Sequence, residues 1–446
     1  MQYLIDRFEA AGDAIAFIDD DREFSYRSIL DYIGKYSELI RHHSIVRGQV
    51  LVVVADYSPE MFCFIVALMK NGNILAPITH ESVVEKERIL EISEGQWFVD
   101  FSVDFEKIKF TSIDRTPSNK ILLGYIESEN PGLLLFSSGS TGQPKAILHN
   151  FNLVLDKFKV RRSKVTAITF LMLDHFGGIN TLFHVLSNLG TVVTVKNRTV
   201  QSICNAIQKH KVELLPATPS FLNMLVSTDI NLHFDLSSLR IISYGTEVMP
   251  QTTLDRLKSI FPLVKLQQTY GLSEVGVLRS QSRPDGSLWV KIGGEGFKTK
   301  VIDDILWIKS DYSMVGYLNA PNPFDSEGWF NTQDRVEVDG DYFKILGRVT
   351  DLMNIGGQKV YPSEIEDLIL TMDNIEDVAV FSEKNNLLGN MIVAEVVLKE
   401  PESLDLLKKR IRKDCAKKLA PFKIPSKVII ADRNLYSARH KKIRHY

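Results

Sequence analysis

Cysteine is scarce in this chain. Its 446 residues hold three, Cys63, Cys204 and Cys415, far apart and in no metal-ligand spacing. Cys63 and Cys204 sit in apolar or helix-like surroundings, so buried free thiols in a reducing compartment are expected rather than a disulfide framework. No basic segment followed by an apolar stretch opens the chain at Met1-Gln-Tyr-Leu-Ile-Asp-Arg7, so no secretory leader is expected. No apolar run approaches the roughly 18 residues that a membrane span needs. Net charge is only −2, with no excess of one sign to suggest a nucleic-acid partner. What remains, 44% apolar and 24% charged residues, is the composition of a soluble globular protein, expected in the cytoplasm. The length calls for two or three compact units.

One stretch organises the rest: Leu133-Leu-Leu-Phe-Ser-Ser-Gly-Ser-Thr-Gly-Gln-Pro-Lys145. The apolar run Leu133 to Phe136 reads as a buried strand. It empties into a loop carrying Ser137, Ser138, Ser140 and Thr141, with Gly139, Gly142 and Lys145. Glycines let the backbone turn its N–H groups toward a ligand, and hydroxyls with an ammonium add further donors. A polyphosphate suits such a loop. It differs from the P-loop, since Lys145 follows Gln-Pro and no Ser/Thr comes after it. On these residues alone, a plain Gly/Ser surface turn is as good a reading.

Elsewhere the pattern alternates. Phe24 to Ile45 has helical spacing, Gln49 to Ala55 is dense in β-branched residues, and Ser58-Pro59 opens a helix running to Lys70. Asn71 to Pro77 returns to a strand, which predicts a parallel sheet covered by helices. Ala167 to Leu173 reads as another buried strand, followed by Asp174-His175-Phe176-Gly177-Gly178. Val212 to Pro219 and Ile241-Ile-Ser-Tyr-Gly-Thr-Glu247 follow the same logic. In Gln268-Thr-Tyr-Gly-Leu-Ser-Glu274 a ring offers a face for a purine, Gly271 allows close approach, and a carboxylate can hold Mg²⁺ against phosphate oxygens. Gly340 to Arg348 has the look of an edge hairpin. Ser363 and Glu366 are spaced as a capping box. From Leu406 onward there are fourteen Lys/Arg against two Asp, read for Lys408 to Lys418 as the solvated face of a basic helix.

Ser137 to Lys145 closely resembles the signature loop of the adenylate-forming superfamily of acyl- and aryl-CoA ligases, luciferases and peptide-synthetase adenylation domains. Further family motifs follow in order over nearly the whole chain. The resemblance implies an α/β fold: a large N-terminal domain of sheets flanked by helices (residues 1–348) and a small mobile α+β C-terminal domain (349–446), hinged near Thr350. It implies that Ser137, Ser138, Gly139, Ser140, Thr141, Gly142 and Lys145 bind ATP phosphates. Gly245, Thr246 and Glu247 would run along the adenine, with Gln268 and Gly271 framing Tyr270, which stacks on it. Ser273 would donate to the α-phosphate, Glu274 would hold magnesium, and Asp334 and Arg348 would take the ribose. His175, Phe176, Gly177, Tyr244 and Gly276 would wall an acid of limited size, and Gly356 and Gly357 would line a thiol tunnel. Lys442 aligns with the family's terminal catalytic lysine.

The departures are also specific. Asp174 replaces an apolar residue and reads as a helix cap, with pairing to a substrate amine or hydroxyl as the alternative. For His175 the alternative is a packed histidine at a helix start. Tyr244 replaces a glycine and would narrow the pocket, unless it is part of a plain βα turn. Ser273 stands for Thr, Gln333 for Gly, Thr350 for a charged pivot and Lys441 for Gly, which leaves a non-catalytic basic tail open for Lys442. The implied chemistry is ATP- and Mg²⁺-dependent activation of a small carboxylic acid as acyl-AMP, then transfer to CoA or to the phosphopantetheine of an acidic carrier protein. A luciferase-like oxygenase and a non-catalytic nucleotide binder are the readings of other classes.

Overall fold

The computed structural model describes residues 1–101, 108–138, 144–228, 233–385, 389–431, 435–437 and 442–444. Among them, no helix is long and apolar enough to cross a membrane. All three cysteines are buried and free.

Two seven-stranded sheets make the bulk of the chain, one parallel but for its last strand and the other with a parallel centre and antiparallel flanks, beside a six-stranded antiparallel sheet. Strand Val50–Val54 is buried along its whole length and pairs in parallel with Ile74–Ile78 and Trp97–Asp100. Its β-branched residues fit a sheet covered on both faces. Helix Pro59–Asn71 follows as expected. Ser58 Oγ accepts from the Met61 N–H at 2.9 Å, Pro59 takes the first turn, and Gly72 ends the helix at φ 77°. Every residue from Pro59 to Met69 is buried, because one apolar core joins side chains of both seven-stranded sheets around this helix.

A separate core forms from Met353 onward: strands Ile375–Asn385, Gly389–Leu398 and Lys427–Ile430 under helices Pro362–Leu370 and Leu404–Lys418. This smaller α+β region docks on helices Pro219–Ser227 and Gln251–Ile260. Asn223 Nδ2 donates to Asp377 Oδ1 (3.3 Å), the Thr252 N–H to Asp367 Oδ1 (3.0 Å) and Arg256 to the Leu370 carbonyl (3.0 Å).

Four local expectations fail for identifiable reasons. The strand read at 167–173 is only Thr166–Ile168; beyond it the chain leaves the sheet and turns, buried, toward helix Phe176–Ser187. Asp174 does not cap that helix, because His175 occupies the N-cap position. The hairpin of Phe330–Asp339 and Tyr342–Arg348 lies in the middle of its sheet, not at an edge. Ser363 and Glu366 form no capping box. Pro362 is the first helical residue, so Ser363 lies inside the helix and donates to the Leu346 carbonyl, while Glu366 accepts from the Val380 N–H and pairs with Arg444.

Candidate active site

The organising stretch folds as two antiparallel strands, Gly132–Ser138 and Pro144–Asn150, with Ser137 opposite Lys145 in register. The expectations for Gly139, Ser140, Thr141 and Gly142 lie outside the described residues, as does the Ser138 side chain. Ser137 and Lys145 open onto a cavity of about 950 Å³ at the ends of the sheet strands. Gly245 and Thr246 form another wall. A methyl group on Gly245 would stand 2.5 Å from Thr269 Oγ1 and 2.7 Å from the Thr269 carbonyl, so only glycine lets the two strand ends approach this closely. Thr246 follows at φ 72°.

Tyr270, Gly271, Ser273 and Glu274 line the same cavity, presented by the tight hairpin of Gly271–Leu272 with Gly276–Val277. The Tyr270 hydroxyl donates to the buried Asp334 carboxylate, which also pairs with Arg348 Nε at 3.4 Å. Burial, with Asp334 beside it, pushes the Tyr270 hydroxyl well above its usual range, so it stays a donor and the ring orientation is held. Burial likewise raises the Asp334 carboxyl, with Arg348 opposing. Glu274 accepts from the Tyr317 hydroxyl at 2.7 Å through Oε1.

The other end of the cavity is walled by His175, Phe176 and Gly177 at the start of helix Phe176–Ser187. A methyl on Gly178 would fall 2.1 Å from the Met172 carbonyl, so glycine is what lets the chain pack here, whereas the predicted wall residue Gly276 (φ 84°) stands outside the lining, at an ordinary contact distance behind the Phe176 ring. His149 packs behind, its ring 5.0 Å from that of Phe176. Burial pushes His149 down to about 4, with the nearby Ser273 backbone opposing, so the imidazole is neutral at ordinary pH.

Thus Ser137, Lys145, His175, Phe176, Gly177, Gly245, Thr246, Tyr270, Gly271, Ser273, Glu274, Arg348 and Thr350 share one cavity. Others stand apart from its lining. Tyr244 does not narrow the pocket. Its side chain is 2% exposed in the core on the other face of strand Ile241–Tyr244, and its neighbour Ser243 lines the cavity instead. Gln268 is buried, its backbone bonded to Ser280 and Ser282. Glu247 is occupied by Ser220 Oγ (2.6 Å) and the Lys442 N–H (2.8 Å). Gly356 and Gly357 form an exposed hairpin turn away from the cavity.

Lys442 also differs from expectation. Its ammonium is not in the cavity but donates to Asp377 Oδ1 (3.0 Å) and the Val378 carbonyl (2.7 Å), in a pair whose side chains are 8% and 4% exposed. The C-terminal sheet offers two acceptors there, and Glu247 fixes the lysine's backbone. Residues that sequence reasoning passed over include Tyr317, Ser243 and Thr332. Alternation along strand Ile241–Tyr244 was a usable signal for Ser243; for Tyr317 there was only its place beside Gly316.

The donor set suits one hard cation shared with phosphate. Glu274 makes a single hydrogen bond to a described residue, leaving an oxygen for a metal, and the described residues hold no cluster of three or more His, Cys, Asp or Glu.

Residues 6–304 match the AMP-binding enzyme family and residues 364–442 the AMP-binding enzyme C-terminal domain. A 2-succinylbenzoate–CoA ligase of Bacillus subtilis is 23% identical, the match covering 99% of this chain and 96% of that protein. Peroxisomal OPC-8:0-CoA ligase 1 of Arabidopsis thaliana is 24% identical over 93% of this chain and 86% of its own length. Among solved structures, the anthranilate CoA ligase AuaEII in complex with anthranoyl-AMP superposes with a TM-score of 0.83 at 19% identity, over 99% of this chain and 95% of the other. The o-succinylbenzoate CoA synthetase of Bacillus subtilis with ATP and magnesium gives 0.78 at 21% identity, over 99% and 98%. The chain therefore belongs to the AMP-binding, or adenylate-forming, enzyme family and is an acid–thiol ligase of the acyl-/aryl-CoA ligase kind.

Proposed function

We propose that this enzyme joins a small carboxylic acid to AMP from ATP and passes the acyl group to CoA. One observation carries the reading: Ser137, Lys145, Tyr270, Glu274 and Arg348 share a single cavity with the wall made by His175, Phe176 and Gly177. A nucleotide and an acid can meet there.

A carboxylate oxygen attacks the α-phosphorus of ATP, the bond to the β-phosphate oxygen breaks, and pyrophosphate leaves. The transition state gathers negative charge, so catalysis is mainly positioning and cationic stabilisation. Lys145 and Arg348 supply protein cations at the cavity. Glu274 would hold Mg²⁺, which when bound neutralises phosphate charge and orients the leaving group. Tyr270, fixed through Asp334, offers a face to adenine, and Ser273 a hydroxyl to the α-phosphate. In the second step a CoA thiolate attacks the acyl carbonyl and AMP leaves. We assign residues 1–348 to the first chemistry and residues 349–446, hinged near Thr350, to a region that swings to bring Gly356 and Gly357 to the thiol path. Lys442 serves the first step only in an arrangement where it has left Asp377.

The test is a panel of small carboxylic acids screened for acid-dependent ATP–pyrophosphate exchange, followed by acceptor assays with CoA and purified carrier proteins. Exchange with at least one acid and thioester formation with CoA are expected. No exchange with any acid, despite measurable ATP binding, would defeat the reading.

A further inference from the structure

The segment Met314-Val-Gly-Tyr-Leu-Asn319 ties the two halves of the phosphate-facing wall together. At one end the Met314 N–H donates to the Glu274 carbonyl at 2.8 Å. At the other, Asn319 brackets Lys145: its Oδ1 accepts from the Ala146 N–H (2.9 Å) and its Nδ2 donates to the Pro144 carbonyl (2.8 Å). Between them, strand Gly316–Tyr317 pairs antiparallel with Leu148 and Ile147. Tyr317 is thereby pinned by backbone on both sides and is 4% exposed, yet it reaches the cavity. Its hydroxyl donates to Glu274 Oε1 (2.7 Å), and the Lys145 ammonium lies 5.2 Å from the centre of its ring.

We infer that Tyr317 is a positioning residue that fixes the Glu274 carboxylate for the divalent cation of bound ATP. The inference rests on the proposed role of Glu274. A carboxylate that shares its cavity with the Lys145 and Arg348 side chains has competing cationic partners. A rigid hydroxyl on one oxygen sets the carboxylate's rotamer and leaves the other oxygen for the metal, as outer-shell donors do for ligating carboxylates. The ring cannot drift, since its own strand is part of the sheet that ends in Lys145.

Tyr317→Phe keeps the ring and deletes the donor. Calorimetric titration with ATP, once with Mg²⁺ and once with EDTA, separates metal-dependent from metal-independent binding without relying on turnover. The expected result is about tenfold weaker binding of ATP with Mg²⁺, unchanged binding with EDTA, and about tenfold more Mg²⁺ for half-maximal pyrophosphate exchange. A merely structural tyrosine would lower the melting temperature and leave the Mg²⁺ dependence alone. Unchanged or equally weakened binding under both conditions overturns the inference. Glu274→Gln is the parallel arm: if it too leaves the Mg²⁺ dependence untouched, the role assigned to Glu274 is what fails. If Glu274→Gln shifts it and Tyr317→Phe does not, only the inference about Tyr317 fails.

Discussion

Gln333 holds φ at 61°, a left-handed conformation that costs a side chain roughly 1 kcal/mol or more and that glycine adopts freely. The glycine of related sequences thus has a physical reason, and this chain keeps the turn without it. Replacing Gln333 by Gly relieves strain but adds freedom to the unfolded chain, so a net gain of at most about 1 kcal/mol is expected, read as a higher urea midpoint. His149 makes the pH-dependent case. Burial pushes its pKa down to about 4 in the folded chain, against the 6.5 of an unperturbed histidine, so between these values the unfolded chain binds more protons. Stability therefore falls as pH drops from 6.5 toward 4, by up to ~3 kcal/mol from this group alone. Urea melts at pH 4.5 and 6.5 should show a smaller acid loss for His149→Gln than for the unaltered protein. Nothing in the residue string announced this. His149 reads as one polar residue in a strand, and only the fold puts Phe176 and Ser273 around it.

Helix Phe176–Ser187 starts where the Met172 carbonyl leaves no room for a side chain at Gly178. Gly178→Ala should cost about 2–3 kcal/mol through overpacking and weaken acid binding more than ATP binding, checked by melting and by separate titrations. How well such elements could be read in advance depended on local chemistry. Helix Pro59–Asn71 declared itself through Ser58, Pro59 and Gly72, all acting within a few residues. The cap at 174–176 and the box at 363–366 were misread because spacing alone does not say which residue is first in the helix. Tyr244 was misread for a different reason: motif alignment ignores which face of a strand a side chain takes, and strand alternation turned it into the core. The cavity itself was largely foreseen, since its motifs carry their own chemistry. Tyr317 and Ser243 were missed because they gain meaning only from strands that neighbour them in space.

Across the two regions, Lys442 links the terminal segment to Asp377 while its backbone rests on Glu247. Lys442→Ala should lower stability by about 3 kcal/mol, since a buried carboxylate loses its cation. If the lysine also travels to the nucleotide, the same variant should lose acyl-AMP formation yet still make thioester from supplied acyl-AMP. Equal loss of both half-reactions would make Lys442 a clamp only. Arg444 with Glu366 holds the same segment at 2.8 Å, so the tail is fastened twice. Thr350 has a different kind of consequence. It belongs to the wall of the cavity and also to the three-residue turn Val349–Asp351 on which the smaller region hangs. If the smaller region swings about this turn as proposed, a cargo that alters shape as pyrophosphate departs would bear on the joint directly, with no relay through distant parts of the protein.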